Sequence, residues 1–110
     1  MAKNYVQEGD VINHTNASGS TITSGSGVLV GSWLGVALAD IPSGATGSVQ
    51  ISYVFTLPKL STDAVAQGVS LYWDNTNKRL TTSASGNTLA GRAAAAAAAG
   101  VATVQIKLNA

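Results

Sequence analysis

Cysteine is absent from this sequence, which excludes disulfide staples and thiolate metal sites and leaves the redox compartment open. Charge is nearly as scarce: Asp, Glu, Lys and Arg make up 10% of the 110 residues, against roughly 25% in an ordinary soluble domain. The surface must therefore be built of Ser, Thr, Asn, Gly and Ala, and at a net charge of +1 it repels other protein weakly. That is a liability in a free monomer and is expected of a component of an assembly. Bulky side chains are few as well, with two tryptophans, three tyrosines and one phenylalanine. Much of the 45% hydrophobic fraction is alanine, whose methyl buries little area, so the core is smaller than the percentage suggests. The length fits one domain over residues 1–110.

Other absences narrow the function. No uninterrupted apolar run approaches the ~18 residues of a membrane helix, and the opening MAKNYVQEGD lacks an apolar signal core. Neither a membrane partner nor export by signal peptide is expected, and synthesis in the cytoplasm is. The basic residues Lys3, Lys59, Lys78, Arg79, Arg92 and Lys107 are dispersed, whereas salt-dependent nucleic-acid binding concentrates ~6–10 phosphate contacts. Nucleic acid is not an expected partner.

Catalytic groups are equally thin. There is one histidine, His14, and the carboxylates Glu8, Asp10, Asp40, Asp63 and Asp74 are scattered. No serine stands in a G-x-S-x-G elbow, so Ser18, Ser20, Ser24 and Ser26 read as residues that satisfy loop backbone. One imidazole without thiols or a repeated acidic loop does not make a metal site, and His14 reads as a strand residue. GSGVLVG lacks the G-K-[ST] ending of a phosphate loop and reads as a turn into a strand. No enzymatic activity, cofactor, metal or small-molecule substrate is expected.

What is present is alternation. In GSVQISYVFTLP, Val49, Ile51, Tyr53, Phe55 and Leu57 fall on one face, with only Val54 out of place, which predicts one half-buried strand closed by Pro58. Val104, Ile106 and Leu108 alternate in the same way against Thr103, Gln105 and Lys107. Shorter strands are expected at Val28 to Val30, Leu34 to Ala39, Val69 to Trp73 and Arg79 to Thr82, separated by clusters of turn formers. WDNTNKRL reads as a hairpin, because Asn and Asp tolerate left-handed backbone angles. The fold class is all-β, a small barrel or sandwich of short strands.

Two segments also resemble each other. GVALADIPSGATGSVQI and GRAAAAAAAGVATVQI align Gly35 with Gly91, Ala37 with Ala93, Ala39 with Ala95 and Gly44 with Gly100, then SVQI with TVQI after a one-residue deletion. This is an internal pseudo-repeat, about 33–57 and 89–108. It bears on the seven alanines Ala93 to Ala99, for which a strand and loop, a short surface helix and a disordered linker compete. The earlier copy holds Pro42, which forbids a continuous helix, so the repeat favours strand, loop, Gly100 and strand. The small residues Gly35, Ala37, Gly91 and Ala93 let another backbone approach, either at the seam between the half-units or between subunits. Trp33, Tyr72 and Trp73 suit the core better than a sugar-binding platform, since a chain so poor in bulky residues needs them inside.

The chain resembles the capsid cement, or decoration, proteins of tailed bacteriophages. The resemblance is carried in order by AKNYVQEGDVI, GVALAD and its glycine-containing turn, FTLPK, AVAQGVSLYWD, GNTLAGRA and VQIKLN. The alanine tract departs from it, since more varied side chains are expected there. The resemblance implies a structural virion protein without catalytic residues, made in the host cytoplasm and bound to the outer surface of the phage head. It further implies a homotrimer that contacts the major capsid protein and stabilises the shell. The rival class is a carbohydrate- or receptor-binding module displayed on the particle.

Residues 1–10 are a candidate N-terminal arm. Within it Ala2, Lys3, Asn4, Tyr5, Val6 and Gln7 are the candidate capsid or subunit contact, having two apolar residues and little means of folding alone. The alternative is an edge strand of the same barrel.

Overall fold

The structure is a computed structural model that describes residues 11–109. It contains β1 (Val11–Thr15), β2 (Gly27–Val30), β3 (Trp33–Ala37), β4 (Thr46–Gln50), β5 (Val54–Pro58), β6 (Ser70–Asp74), β7 (Arg79–Thr81), β8 (Thr88–Ala93) and β9 (Thr103–Leu108). They form a four-stranded sheet of order β1-β4-β3-β2 and a five-stranded sheet of order β5-β9-β8-β6-β7. All described pairings between named strands are antiparallel. The all-β expectation stands, and the shorter strands fall within two residues of where alternation put them.

The single strand expected from Val49 to Leu57 is two strands in different sheets. Pairing in the first sheet stops at Gln50 and resumes in the second at Val54. Between them Tyr53 takes φ 74° and is 61% exposed, a backbone region that bulky residues rarely enter. The crossing is held by the Leu108 N–H donating to the Tyr53 carbonyl at 3.0 Å and the Asn109 side-chain amide donating to the Ile51 carbonyl at 2.7 Å. Alternation could not reveal the change of sheet, because Val49 and Leu57 face inward on either side of it. The out-of-phase Val54, half exposed, is its only trace in the sequence.

The repeat is longer than the sequence suggests. Val28 pairs with Gly35 across β2 and β3 as Leu71 pairs with Gly91 across β6 and β8. Before these strands, an isolated bridge joins Ile22 to Ile41 and another joins Val65 to Ala97. The Gly25 N–H donates to the Ala37 carbonyl, and the Gly68 N–H donates to the Ala93 carbonyl, each at 2.8 Å. The turn Pro42 to Ala45, with Gly44 at φ 81°, is matched by Ala98 to Val101, with Gly100 at φ 93°. Strand order matches too, β1-β4-β3-β2 against β5-β9-β8-β6, with β7 added at the end. One ladder has slipped: Ala37 faces Val49, whereas Ala93 faces Ile106, the residue aligned with Ile51. A slip of two residues keeps every side chain on its face.

The alanine tract is thus strand, bend, bridge and turn. Ala93 closes β8, Ala97 makes the bridge to Val65, and Ala98 and Ala99 enter the turn at Gly100. Ala99 stands where such a turn accepts proline. Ala99→Pro is expected to leave stability unchanged or raise it by up to about 1 kcal/mol, whereas a helix through the tract would lose about 3 kcal/mol. Urea denaturation decides between them.

The larger core gathers Leu57, Leu71, Trp73, Leu80, Val104, Ile106 and Leu108 from the second sheet with Leu34 and Val36 of β3. The smaller core, on the opposite face of the first sheet, holds Val28, Ala37, Ile41 and Val49. Strand β3 is therefore buried on both sides. Gly35 and Gly91 do not lie at a seam between half-units: a Cβ on Gly35 would strike Val49, and one on Gly91 the Lys107 carbonyl oxygen. Each admits the last strand of its own unit.

The hairpin between β6 and β7 forms as expected. The Asp74 carboxylate accepts from the Asn77 side chain and from the backbone N–H groups of Thr76 and Asn77. These bonds, the Asn77 amide foremost, hold its carboxyl below the ordinary carboxylate range. The left-handed turn residue is Lys78, at φ 55°, rather than an Asn or Asp. Beyond it β7 reaches across to the chain just past β5 through a parallel bridge between Lys59 and Leu80, so the second sheet curls around the larger core.

Candidate functional site

A cleft of about 780 Å³ opens between β2 and the chain that follows β1. His14 to Ser18 line one side and Gly27 to Leu29 the other, while Pro58, Trp73, Asn75 and Lys78 of the second half form the back. The position follows from the repeat. In the second half the space between β6 and the end of β5 is filled by β7, with fully buried Leu80 at its centre. In the first half β2 and β3 are joined directly through Gly31 and Ser32, and among the described residues β2 is an edge strand.

Equivalent buried polar residues mark the two lanes. The Asn16 N–H donates to the Ala45 carbonyl and the Lys59 N–H to the Ala102 carbonyl. Asn16, fully buried, donates its side-chain amide to the Ser20 and Ile41 carbonyls and accepts from the Ser18 N–H and hydroxyl. Lys59, also buried, places its ammonium on the Leu60 and Asp63 carbonyls at 3.1 and 2.6 Å. Burying such groups is tolerated because each is hydrogen-bonded.

Of the loop serines, Ser18 and Ser24 satisfy loop backbone as expected, while the Ser26 hydroxyl bonds another side chain. Ser18 bonds Asn16 and Ser20, Ser24 donates to the Leu38 carbonyl, and Ser26 shares a hydrogen bond with Thr23. Gly25, at φ 83°, turns the chain toward β2, which begins at Gly27. His14 lies in β1 beside the cleft.

A second feature lies where the sheets meet. The Asn109 amide donates to Leu34 and Ile51, its oxygen accepts from the Leu34 N–H, and its own N–H donates to Ala90. Next to it Trp33, 50% exposed, and Leu89, 52% exposed, flank a shallow groove with Ser32 and Thr88. The three aromatics therefore part company. Trp73 is core at 1% exposure and Tyr72 is partly buried. As neighbours in β6 these two project to opposite faces of the sheet, so they cannot form one platform with Trp33, which is not the core residue expected. Leu89 was not signalled by the sequence, although it stands opposite Tyr72 in the β6–β8 ladder.

Several charged groups are occupied in local structure. Asp40 caps the Ser24 N–H, Asp63 accepts from the Thr81 hydroxyl and the Thr82 N–H, Lys78 donates to Asn75 and Arg92 to the Gly68 carbonyl. Among the described residues no three His, Cys, Asp or Glu side chains come together, and no helix is long and apolar enough to cross a membrane. The contact residues expected at Ala2, Lys3, Asn4, Tyr5, Val6 and Gln7 lie outside the described residues.

Comparison with known proteins completes the picture. No curated protein and no solved structure matches the chain. Its residues 6–108 match the family model described as phage cement protein, over nearly the whole span in which two copies of one β-unit are joined. The chain belongs to the phage cement protein family.

Proposed function

We propose that this protein binds the outer surface of an assembled phage head as a homotrimer, against the major capsid protein, and holds the shell closed against the pressure of packaged DNA. The family match over residues 6–108 carries this reading. Composition supports it: a surface with little charge resists close packing against other protein only weakly. Each bound copy adds contact area that must be broken before the shell opens, and an interface of ~1,600 Å² in total is typical of a stable contact. A trimer strengthens this, because once one subunit binds the others attach at high effective concentration.

Residues 2–7 supply the capsid or subunit contact. Their deletion is expected to leave a folded protein whose occupancy on expanded shells falls by about tenfold or more, the scale on which lost avidity is felt. Electron microscopy of decorated shells measures it. A deleted protein that still decorates fully removes the segment from the account; an intact protein that ignores shells removes the function. The carbohydrate-binding rival has lost its platform, since Trp73 is interior and only Trp33 is well exposed.

A further inference from the structure

We infer that the outer face of the second sheet binds a carboxylate-bearing surface of the shell protein, and that Arg92 and Lys107 together hold the carboxylate. The inference rests on the reading of the chain as a shell-binding protein and names the chemistry of the surface it meets.

Charge in this chain is segregated as well as scarce. Residues 11–50 contain no Lys or Arg, whereas residues 51–109 contain Lys59, Lys78, Arg79, Arg92 and Lys107 against the carboxylates Asp63 and Asp74. Lys59 is buried on loop carbonyls, and Lys78 and Arg79 belong to the hairpin that also holds Asp74. Arg92 and Lys107 are different. They are direct partners in the β8–β9 ladder, and both are exposed.

Opposed residues in an antiparallel ladder carry their Cβ atoms about 5 Å apart, and like charges so placed destabilise a sheet. A chain with six cations has room to keep them separate, so the pair marks a position where local stability yields to another requirement. The row that contains it supplies no counter-charge. Val54 stands opposite Lys107 on one side and Ser70 opposite Arg92 on the other. Along β9 the same face continues with Gln105 and Thr103. Asp74 shares the face, but it lies four residues along β6 from Ser70, ~13 Å away, and its carboxylate is engaged by Thr76 and Asn77.

The donor set selects the ligand. Arg92 spends one guanidinium nitrogen on the Gly68 carbonyl at 3.2 Å, which fixes the side chain against the sheet. A guanidinium carries five N–H donors and an ammonium three, so the pair offers a planar fork and a point charge to one carboxylate. Half-exposed Val54 extends the row as an apolar contact, which suits a protein surface. Two cations fall short of the ~6–10 phosphate contacts that nucleic-acid binding concentrates. A second copy is a poorer match, because Asp40, Asp63 and Asp74 are each hydrogen-bonded within their own copy.

Co-sedimentation of the full chain with expanded shells over a salt series tests this. The natural chain should bind about tenfold more weakly at ~1 M salt than at ~0.1 M, since the screening length falls from about 10 to about 3 Å. Combining Arg92→Gln with Lys107→Gln should lose about tenfold at low salt and little at high salt, and combining Arg92→Glu with Lys107→Glu about a hundredfold. Lys107→Arg keeps the charge and should bind as the natural chain does. The neutral double variant should hold or raise the urea midpoint of the free protein, which separates a contact from a folding role. Binding that ignores salt, or full binding by the neutral variant, overturns the inference and leaves the shell function standing. A neutral variant whose oligomer falls apart in light scattering overturns the shell as occupant in favour of a second copy. Natural chain that ignores shells removes the proposed function and this inference with it.

Discussion

Gly91→Ala is expected to destabilise the protein by roughly 3–5 kcal/mol, a large part of the total for a domain of this size. Two costs add. The new Cβ would overlap the Lys107 carbonyl oxygen and lie 2.9 Å from the Asn109 nitrogen, and these backbone atoms cannot rotate aside as a side chain would. The residue also sits at φ 152°, in a region that L side chains rarely adopt. Because β8 lies between β9 and β6, relief at Gly91 would disturb ladders on both sides. Gly100→Ala isolates the backbone term: it meets nothing within 4 Å but holds φ 93°, and should lose only about 1–2 kcal/mol. Urea denaturation of both variants gives the comparison. Equal losses would mean that β9 does not approach β8 as closely as described.

Trp73→Ala should cost a similar amount, roughly 3–5 kcal/mol. Trp73 is the largest fully buried side chain and joins the two sheets, its ring lying 2.6 Å from where a Cβ on Gly27 would stand. Its indole N–H donates to the Asn75 side-chain oxygen at 3.2 Å, a bond that removal also loses, although Lys78 still donates to that oxygen. Trp33→Ala, at a half-exposed site, should cost less than about 1 kcal/mol. Thermal unfolding followed by near-ultraviolet circular dichroism would show the contrast. A Trp33 variant as damaged as the Trp73 variant would reverse the assignment of core and surface.

The sequence made some of this legible and hid the rest for physical reasons. Val104, Ile106 and Leu108 announce β9 because one face of it is core and the other is solvent. Strand β3 is less plain, since Leu34 and Val36 enter one core and Ala37 the other, which removes the polar side of the alternation. The alanine tract is legible only through its counterpart: alanine carries a helical preference and no facial pattern, whereas Pro42 and Gly44 fix the turn that Ala98 to Val101 reproduces. The full repeat was hidden because Ile22 aligns with Val65 and Ser26 with Val69, pairs that share a bridge or a hydrogen bond but little side-chain identity. The cleft could not be read at all. It exists because, among the described residues, the first half has no strand where the second has β7, a comparison available only in three dimensions.

The division of the chain between the sheets also bears on its synthesis. One sheet draws on residues 11–50 and the other on 54–108, so the ribosome finishes the first before most of the second exists. At ~5–20 residues per second the remaining half takes on the order of 3–11 s to emerge. Throughout that interval Leu29, Leu34 and Val36, which end in the shared core, have no opposite layer. The nascent chain thus passes through a stage in which its leading half is sticky on one side, and the speed of translation sets how long that exposure lasts.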